Sequence, residues 1–129
     1  MKKITLSFLL LLPLWGISQS TCATAQMVTS GMHEVAAVDG TEVPTPSCTD
    51  ENEGVTAAVW YSFTATTDGL ISISSNLADN MGGDTRLHVY SGTCGSLTCI
   101  GFNDDVNVDG GNYLSEVVFD ATSGTTYYF

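Results

Sequence analysis

The chain has 129 residues and a formal net charge of −11, with 14 acidic residues against 3 basic ones. This shortage of lysine and arginine excludes nucleic acid as a partner, because phosphate contacts need those side chains. An anionic membrane surface is a poor partner for the same reason. The length suits one small domain.

The first 20 residues have the order of features found in a secretory signal peptide. Lys2 and Lys3 precede a mainly apolar run at residues 4–17, and Ser18-Gln19-Ser20 follows, with small residues at the positions that a signal peptidase reads. The run is shorter than the roughly 20 apolar residues of a membrane span. The residues before Cys22 form a poor lipidation signal, so a lipid anchor there is the minor alternative. We predict a cleaved signal peptide at 1–20 and a secreted domain at 21–129, with no membrane insertion after cleavage.

Cleavage would change both the charge and the chemistry of the cysteines. Arg86 would remain as the single base against fourteen acids, a formal charge of −13. Cysteines of exported proteins usually pair, and four cysteines allow three pairings. We expect a local bridge between Cys94 and Cys99, which leaves Cys22 to pair with Cys48. A zinc site is the rival interpretation, but the C-x4-C spacing is loose and no second close pair exists.

The exported part lacks helical periodicity and shows short alternating runs broken by Gly, Asp, Asn and Thr. This pattern is typical of an all-β sandwich or barrel. In chain order, the predicted strands are 32–38, 59–65, 70–74, 85–90, 97–102, 113–121 and 125–129. Alternation places Tyr61 and Phe63 in the core, and His88 and Tyr90 on the face opposite Val89. The sequence stops inside the last predicted strand, so we expect the chain to be a fragment truncated at its C-terminus.

Several features occur together in one order along the chain. They are Cys48, Val59-Trp60-Tyr61-Ser62-Phe63, Asp84-Thr85-Arg86-Leu87-His88-Val89-Tyr90, Cys94, Cys99, Asn103-Asp104-Asp105 and Ser123-Gly124-Thr125-Thr126-Tyr127-Tyr128. The ordered set resembles the bacterial pre-peptidase C-terminal domain family. The resemblance implies a jelly-roll-like antiparallel β-sandwich, a non-catalytic module of secreted or cell-surface bacterial proteins. It also implies that some relatives bind calcium and that some bind collagen or polysaccharide.

One segment matches a calcium-loop pattern. Residues 105–116 fit D-x-N-x-D-G-x5-E, a spacing that lets oxygen ligands surround one cation. The predicted ligands are Asp105, Asn107, Asp109, Gly111 through its carbonyl, and Glu116, with Asp84 and Asp104 as further candidates. Predicted strands flank the segment, however, whereas an EF-hand needs helices. The family resemblance accounts for the acids and glycines without a metal, so a solvated acidic loop is the alternative to calcium.

The sequence offers little for catalysis. His33-Glu34 begins like the zinc-protease motif H-E-x-x-H, but Ala37 occupies the position of the second histidine. The chain contains no G-x-S-x-G nucleophile elbow. Tyr90, predicted to lie on the exposed face of its strand, is a candidate for stacking against a sugar, and an ordinary strand tyrosine is the alternative.

We therefore predict a non-catalytic accessory or binding module of a longer bacterial exoprotein. It would position a parent exoenzyme or adhesin on a polysaccharide or protein polymer, or pack against neighbouring domains of the parent chain, with calcium stiffening a loop. One alternative is a fragment of a secreted hydrolase, either a peptidase or a glycosidase. Another is a purely structural domain that binds no ligand.

Overall fold

A computed structural model describes residues 19–49 and 55–129. The predicted signal peptide lies outside these residues except for Gln19 and Ser20. The regular secondary structure of the described residues is almost entirely strand, in two sheets, which confirms the all-β prediction. None of their helices is long and apolar enough to cross a bilayer.

Seven strands form two sheets in the described part of the chain. Their bounds are β1 Gln26–Met27, β2 Tyr61–Thr64, β3 Gly69–Ser74, β4 Leu87–Thr93, β5 Ser96–Asn103, β6 Glu116–Ala121 and β7 Thr126–Tyr128. The larger sheet has the strand order β1-β2-β7-β4-β5, and the smaller one pairs β3 with β6. Every pair is antiparallel except β1 with β2, which is parallel. Single 3-10 turns occur at Cys22–Thr24 and Ala78–Asn80.

The strand predicted at 32–38 is wrong. This segment forms no strand, and its apolar side chains are exposed, at 86% for Met32, 47% for Val35 and 59% for Val38. Alternation of side chains describes a possible strand face, but a strand also needs a neighbouring strand for its backbone groups. The segment pairs with no other strand of the described residues.

The two sheets pack against each other across an apolar core. Val89 and Tyr127 from the larger sheet meet Val117 and Phe119 from β6, and all four are buried. Gly101 on β5 lets the sheets approach closely, because a Cβ atom there would lie 2.5 Å from Cγ1 of Val117. Alternation along β6 produces this arrangement, with buried Val117, Phe119 and Ala121 separated by exposed residues.

The outer face of the larger sheet is also covered, by the segments at residues 19–25 and 41–49. Trp60 and Tyr90 lie side by side there, with ring centroids 6.0 Å apart and exposures of 1% and 0%. Trp60 Nε1 donates a hydrogen bond to the Glu42 carbonyl at 2.8 Å, and Tyr90 Oη donates one to the Pro46 carbonyl at 2.8 Å. Both rings therefore bury their polar atoms with partners, as interior Trp and Tyr usually do.

Two disulfides fasten the covering segments to the sheet, in a pairing different from the one we expected. Cys22 bonds to Cys94, and Cys48 bonds to Cys99. The local bridge between Cys94 and Cys99 does not form because the hairpin is too tight. Thr93 pairs with Ser96, which leaves Cys94 at the tip while Cys99 lies further along β5, opposite Tyr90. Each bridge therefore joins distant parts of the chain.

Removal of either bridge should strongly destabilise the domain. The bridges span 72 and 51 residues, and loops of that length correspond to about 4 kcal/mol each in the chain-entropy model. We expect the paired replacements C22A/C94A and C48A/C99A each to lower the unfolding free energy in urea by about 2–4 kcal/mol. Mass mapping of non-reduced peptides provides the control, and a peptide linking Cys94 to Cys99 would contradict the structure.

Candidate functional site

The hairpin of β4 and β5 brings three acidic residues together at one end of the larger sheet. Leu87 at the start of β4 pairs with Asn103 at the end of β5. Asp84 precedes the first strand, and Asp104 and Asp105 follow the second. One carboxylate oxygen from each of these three residues lies within 4.8 Å of the others. We call these three residues the acidic cluster.

The side chains of Ser115 and Asn103 hold the backbone of the acidic cluster in place. Ser115, which is fully buried, donates a hydrogen bond from Oγ to the Asp104 carbonyl at 2.8 Å. Asn103 donates from Nδ2 to the Asp105 carbonyl at 3.1 Å, and its Oδ1 accepts from the Glu116 amide at 2.9 Å. The contacts of Ser115 and of the Glu116 amide come from the residue before β6 and from its start, so two of these three hydrogen bonds tie the cluster to β6.

The charges of the acidic cluster are only partly balanced. Arg86 Nε contacts Asp104 Oδ1 at 3.0 Å, and both side chains are partly exposed. The pKa of Asp105 is raised, first by its partial removal from water and then by the neighbouring carboxylates of Asp104 and Asp84, against an opposing effect of Arg86. The protein thus holds three carboxylates at a separation where like charges repel, with one guanidinium beside them.

Two other predicted ligands of the calcium-loop pattern, Asn107 and Glu116, form hydrogen bonds with neighbouring protein groups. Asn107 Oδ1 accepts a hydrogen bond from the Gly110 amide at 2.9 Å, and the backbones of Asn107 and Asn112 exchange two hydrogen bonds. Glu116 accepts a hydrogen bond from Ser72 Oγ at 2.7 Å. Of the predicted ligands, the structure brings Asp105 together with Asp84 and Asp104, and it places neither Asp109 nor Glu116 in that group.

Gly111 lies at the turn of this short hairpin. Its φ is +71°, a left-handed conformation that favours glycine, and its amide donates to the Val108 carbonyl at 3.0 Å. The twelve-residue segment is therefore a hairpin closed by its own hydrogen bonds. Only its first residue, Asp105, joins the acidic cluster.

Tyr90, predicted as an exposed sugar platform, is buried. Its exposure is 0%, and burial raises its pKa to about 12. The prediction failed because it assumed that the outer face of β4 is wet, whereas the disulfide-linked covering segments lie over it. His88 is buried on the same face, stacked against Tyr90 with parallel rings whose centroids are 6.2 Å apart.

Two contributors to the site were missed at the sequence level. Arg86 enters the sequence analysis only as the single base left after cleavage, and the sequence does not indicate which of the fourteen acids it contacts. Ser115 was not singled out at all, because a lone serine before an apolar strand has no distinguishing pattern. Only the pairing of β4 with β5 and the position of β6 reveal both roles.

No protein-family model, no curated protein and no solved structure matches this chain. The resemblance to the pre-peptidase C-terminal domains therefore rests on the ordered residues alone.

Burial of His88 should make stability depend on pH. Burial lowers its pKa, as does Arg86, while Asp104 raises it to a smaller extent. The unfolded chain, with a histidine pKa of about 6.5, therefore takes up the proton first on acidification. Above about pH 6.5, His88 does not reduce the unfolding free energy. As the pH falls from about 6.5 towards the lower pKa that His88 has in the folded protein, the unfolding free energy decreases by at most about 1.4 kcal/mol per pH unit.

We expect H88Q to flatten the fall in unfolding free energy between pH 7 and 5.5, measured by urea unfolding. H33Q is the matched control, because His33 is exposed and, within residues 19–49 and 55–129, its ring bonds only to the Thr29 carbonyl, at 2.7 Å. If the unfolding free energy of H88Q falls with pH as steeply as that of the parent chain, groups other than His88 determine the pH dependence.

Proposed function

We propose that this chain is a non-catalytic binding or accessory module of a secreted or cell-surface bacterial protein, stiffened by calcium at the acidic cluster. The observation that carries the proposal is the placement of Asp84, Asp104 and Asp105 on the loops at one end of a disulfide-bonded β fold. Hard oxygen ligands from several loops are the donors that calcium prefers. Disulfides form and persist in oxidising compartments, which supports secretion.

The donor set at the cluster fits a hard divalent cation. Three carboxylates supply charge, and a calcium shell of six to eight oxygens is completed by carbonyls and water in many proteins. Repulsion among the carboxylates would be relieved by such a cation, whose attraction would lower the pKa of Asp105 again. Arg86 neutralises part of the charge on Asp104, so Asp84 and Asp105 would be the principal ligands.

The proposal also includes the fold type, the family and the signal peptide. We propose a jelly-roll-like arrangement, membership in the pre-peptidase C-terminal domain family, and removal of residues 1–20 on export. The order of motifs supports the family, and the two packed sheets are compatible with that architecture. The module would bind a polysaccharide or protein polymer, or a neighbouring domain of the parent protein.

The surroundings of the two histidines favour binding over hydrolysis. Among the described residues, His33 bonds to a backbone carbonyl, and His88 contacts the hydroxyl of Tyr90 at 3.3 Å. Neither histidine forms a hydrogen bond with a serine or a carboxylate there. A nucleophile with a general base needs such a contact, so we rank the secreted hydrolase below the binding module.

Calcium should stabilise the domain through the acidic cluster. With an affinity typical of extracellular modules, a Kd of about 0.1–1 mM, 10 mM calcium would add about 1.4–2.7 kcal/mol. We expect the melting temperature to rise by at least about 4 °C relative to protein in chelator. D84N and D105N should each abolish most of this rise.

Asp109→Asn is the matched control, because this residue belongs to the twelve-residue pattern but not to the cluster. If D109N and E116Q lose the calcium response while D84N keeps it, calcium binds within residues 105–116 and not at the acidic cluster. A melting temperature that calcium leaves unchanged in the parent chain would refute the site.

Binding itself is tested by sedimentation with insoluble polymers. We expect the oxidised chain to be retained on at least one of β-glucan, chitin or fibrillar protein, and D105N to be retained less if the cluster orders the binding loops. Peptidase and glycosidase substrates should remain intact. Turnover that H33A or H88A abolishes would favour the hydrolase, and absence of retention on any polymer would favour a purely structural domain.

A further inference from the structure

The sequence offers a signal peptidase two places to cut, and the two cuts leave different exported chains. The enzyme reads small residues at the first and third positions before the cut. Ser18 and Ser20 fit a cut after Ser20, whereas Gly16 and Ser18 fit a cut after Ser18. The sequence pattern alone therefore does not decide whether Gln19 and Ser20 belong to the signal peptide or to the exported domain.

Gln19 is bonded to Trp60, one of the most deeply buried residues of the domain. The Trp60 amide donates a hydrogen bond to the Gln19 carbonyl at 2.9 Å, and the Trp60 carbonyl accepts one from the Gln26 amide at 3.0 Å. The side chain of Gln19 also donates from Nε2 to Oε1 of Gln26. The stretch 19–26 is thus closed over Trp60, whose exposure is 1%, and Gln19 forms one end of the closure.

Ser20 holds the second covering segment in place. Its carbonyl accepts hydrogen bonds from the amides of Thr41 and Glu42, at 3.1 and 2.9 Å. The carbonyl of Glu42 in turn accepts the hydrogen bond from Trp60 Nε1 at 2.8 Å. Ser20 therefore positions the segment that provides the partner of the buried indole.

The packing around Ser20 is close enough to require a glycine. A Cβ atom at position 40 would lie 2.8 Å from the Cα of Ser20 and would overlap the carbonyl oxygen of Ala58. Gly40 is buried at this crossing, so the absence of a side chain lets the three backbones approach. The backbone of Ser20 is therefore part of the packed domain.

The two cuts differ in what they remove from the folded domain. A cut after Ser20 would deprive three amides, those of Thr41, Glu42 and Trp60, of their carbonyl partners. Buried backbone amides are almost always paired, and Trp60 is buried. A cut after Ser18 spares all three contacts, and the Gln19 amide forms no backbone hydrogen bond with another described residue. The backbone contacts of the described domain thus begin at the carbonyl of Gln19.

We propose that a signal peptidase cuts the chain between Ser18 and Gln19, so that Gln19 is the first residue of the mature domain. Water hydrolyses this peptide bond, which leaves a carboxylate on Ser18 and an amine on Gln19. The inference rests on the proposed export, and it shortens the signal peptide from residues 1–20 to residues 1–18. Lipidation would instead start the chain at Cys22 with lipid on its sulfur, but that sulfur forms the bridge to Cys94.

Mass spectrometry of the exported protein and of its N-terminal peptide tests the cut. The full chain is expressed in a bacterium and collected from outside the cytoplasm. We expect Gln19 as the first residue, with its amine intact or cyclised, since attack of the amine on the side-chain amide carbon releases ammonia and gives pyroglutamate. A chain that begins at Thr21 or Cys22 overturns the proposed cut but leaves export intact. A chain that stays in the cell with residues 1–18 attached overturns export as well.

Two matched substitutions distinguish the two cuts by the rate at which residues are removed, followed by pulse labelling. Gly16→Phe places a large side chain at the third position before the proposed cut, and Ser20→Phe places one directly before the alternative cut. We expect Gly16→Phe to slow processing about tenfold or more and Ser20→Phe to slow it less than about twofold. Removal of a signal peptide precedes folding, so the rate does not depend on whether a variant folds. The proposal is overturned if Gly16→Phe is processed as fast as the parent, or if Ser20→Phe slows processing as much as Gly16→Phe does.

Discussion

The fold depends on the attachment of the N-terminal segments to the outer face of the larger sheet. A sheet with one buried face leaves the other in water, yet here Trp60 and Tyr90 are buried on the outer side. Two disulfides and two hydrogen bonds from aromatic side chains hold the cover in place. A domain of this size gains little from one small apolar core, so burial of a second layer raises the buried apolar area considerably.

The same hairpin that receives both disulfides also carries the acidic cluster. β4 and β5 bear Cys99 and, at their tip, Cys94, while their opposite end carries Asp84, Asp104 and Asp105. The hairpin is therefore fixed covalently at and near its tip and by buried polar contacts, including that of Ser115, at its other end. A rigid hairpin can hold like charges close together, because it does not relax to separate them.

Local patterns in the sequence predicted the features that depend on residues close together in the chain, such as strands. Alternation predicted the strand around Tyr61 and placed Tyr61 in the core, where it is buried, because side-chain direction in a strand has a period of two. The secretory context predicted that the cysteines pair, but spacing alone favoured the wrong partners. The choice between Cys22 and Cys99 as the partner of Cys94 depends on which segment crosses the outer face, and that is a property of the whole fold.

The candidate site also depends on contacts between residues far apart in the sequence, which local patterns do not reveal. The pattern at residues 105–116 correctly pointed to Asp105, which lies in the acidic cluster. It placed the other ligands wrongly for the cluster, because it requires the loop to wrap around the ion. Here Asn107 closes a hairpin with Asn112 instead, and Asp105 meets Asp84 from a different strand end. Tyr90 was misjudged for a related reason, since alternation identifies the face of a strand but not what lies over that face.

The bridge between Cys22 and Cys94 has a mechanical consequence for a domain joined to other parts of a protein. Tension entering ahead of Cys22 passes through sulfur directly to the tip of the hairpin, and the intervening stretch, whose ends are 72 positions apart, bears none of it. Without both bridges, that stretch would lengthen by roughly 240 Å when pulled straight, at about 3.4 Å per residue, whereas loss of this bridge alone would leave residues 48–99 closed by the other one. In its oxidised form the domain therefore cannot extend between Cys22 and Cys94, and a reductant that cleaves both bridges would release that length.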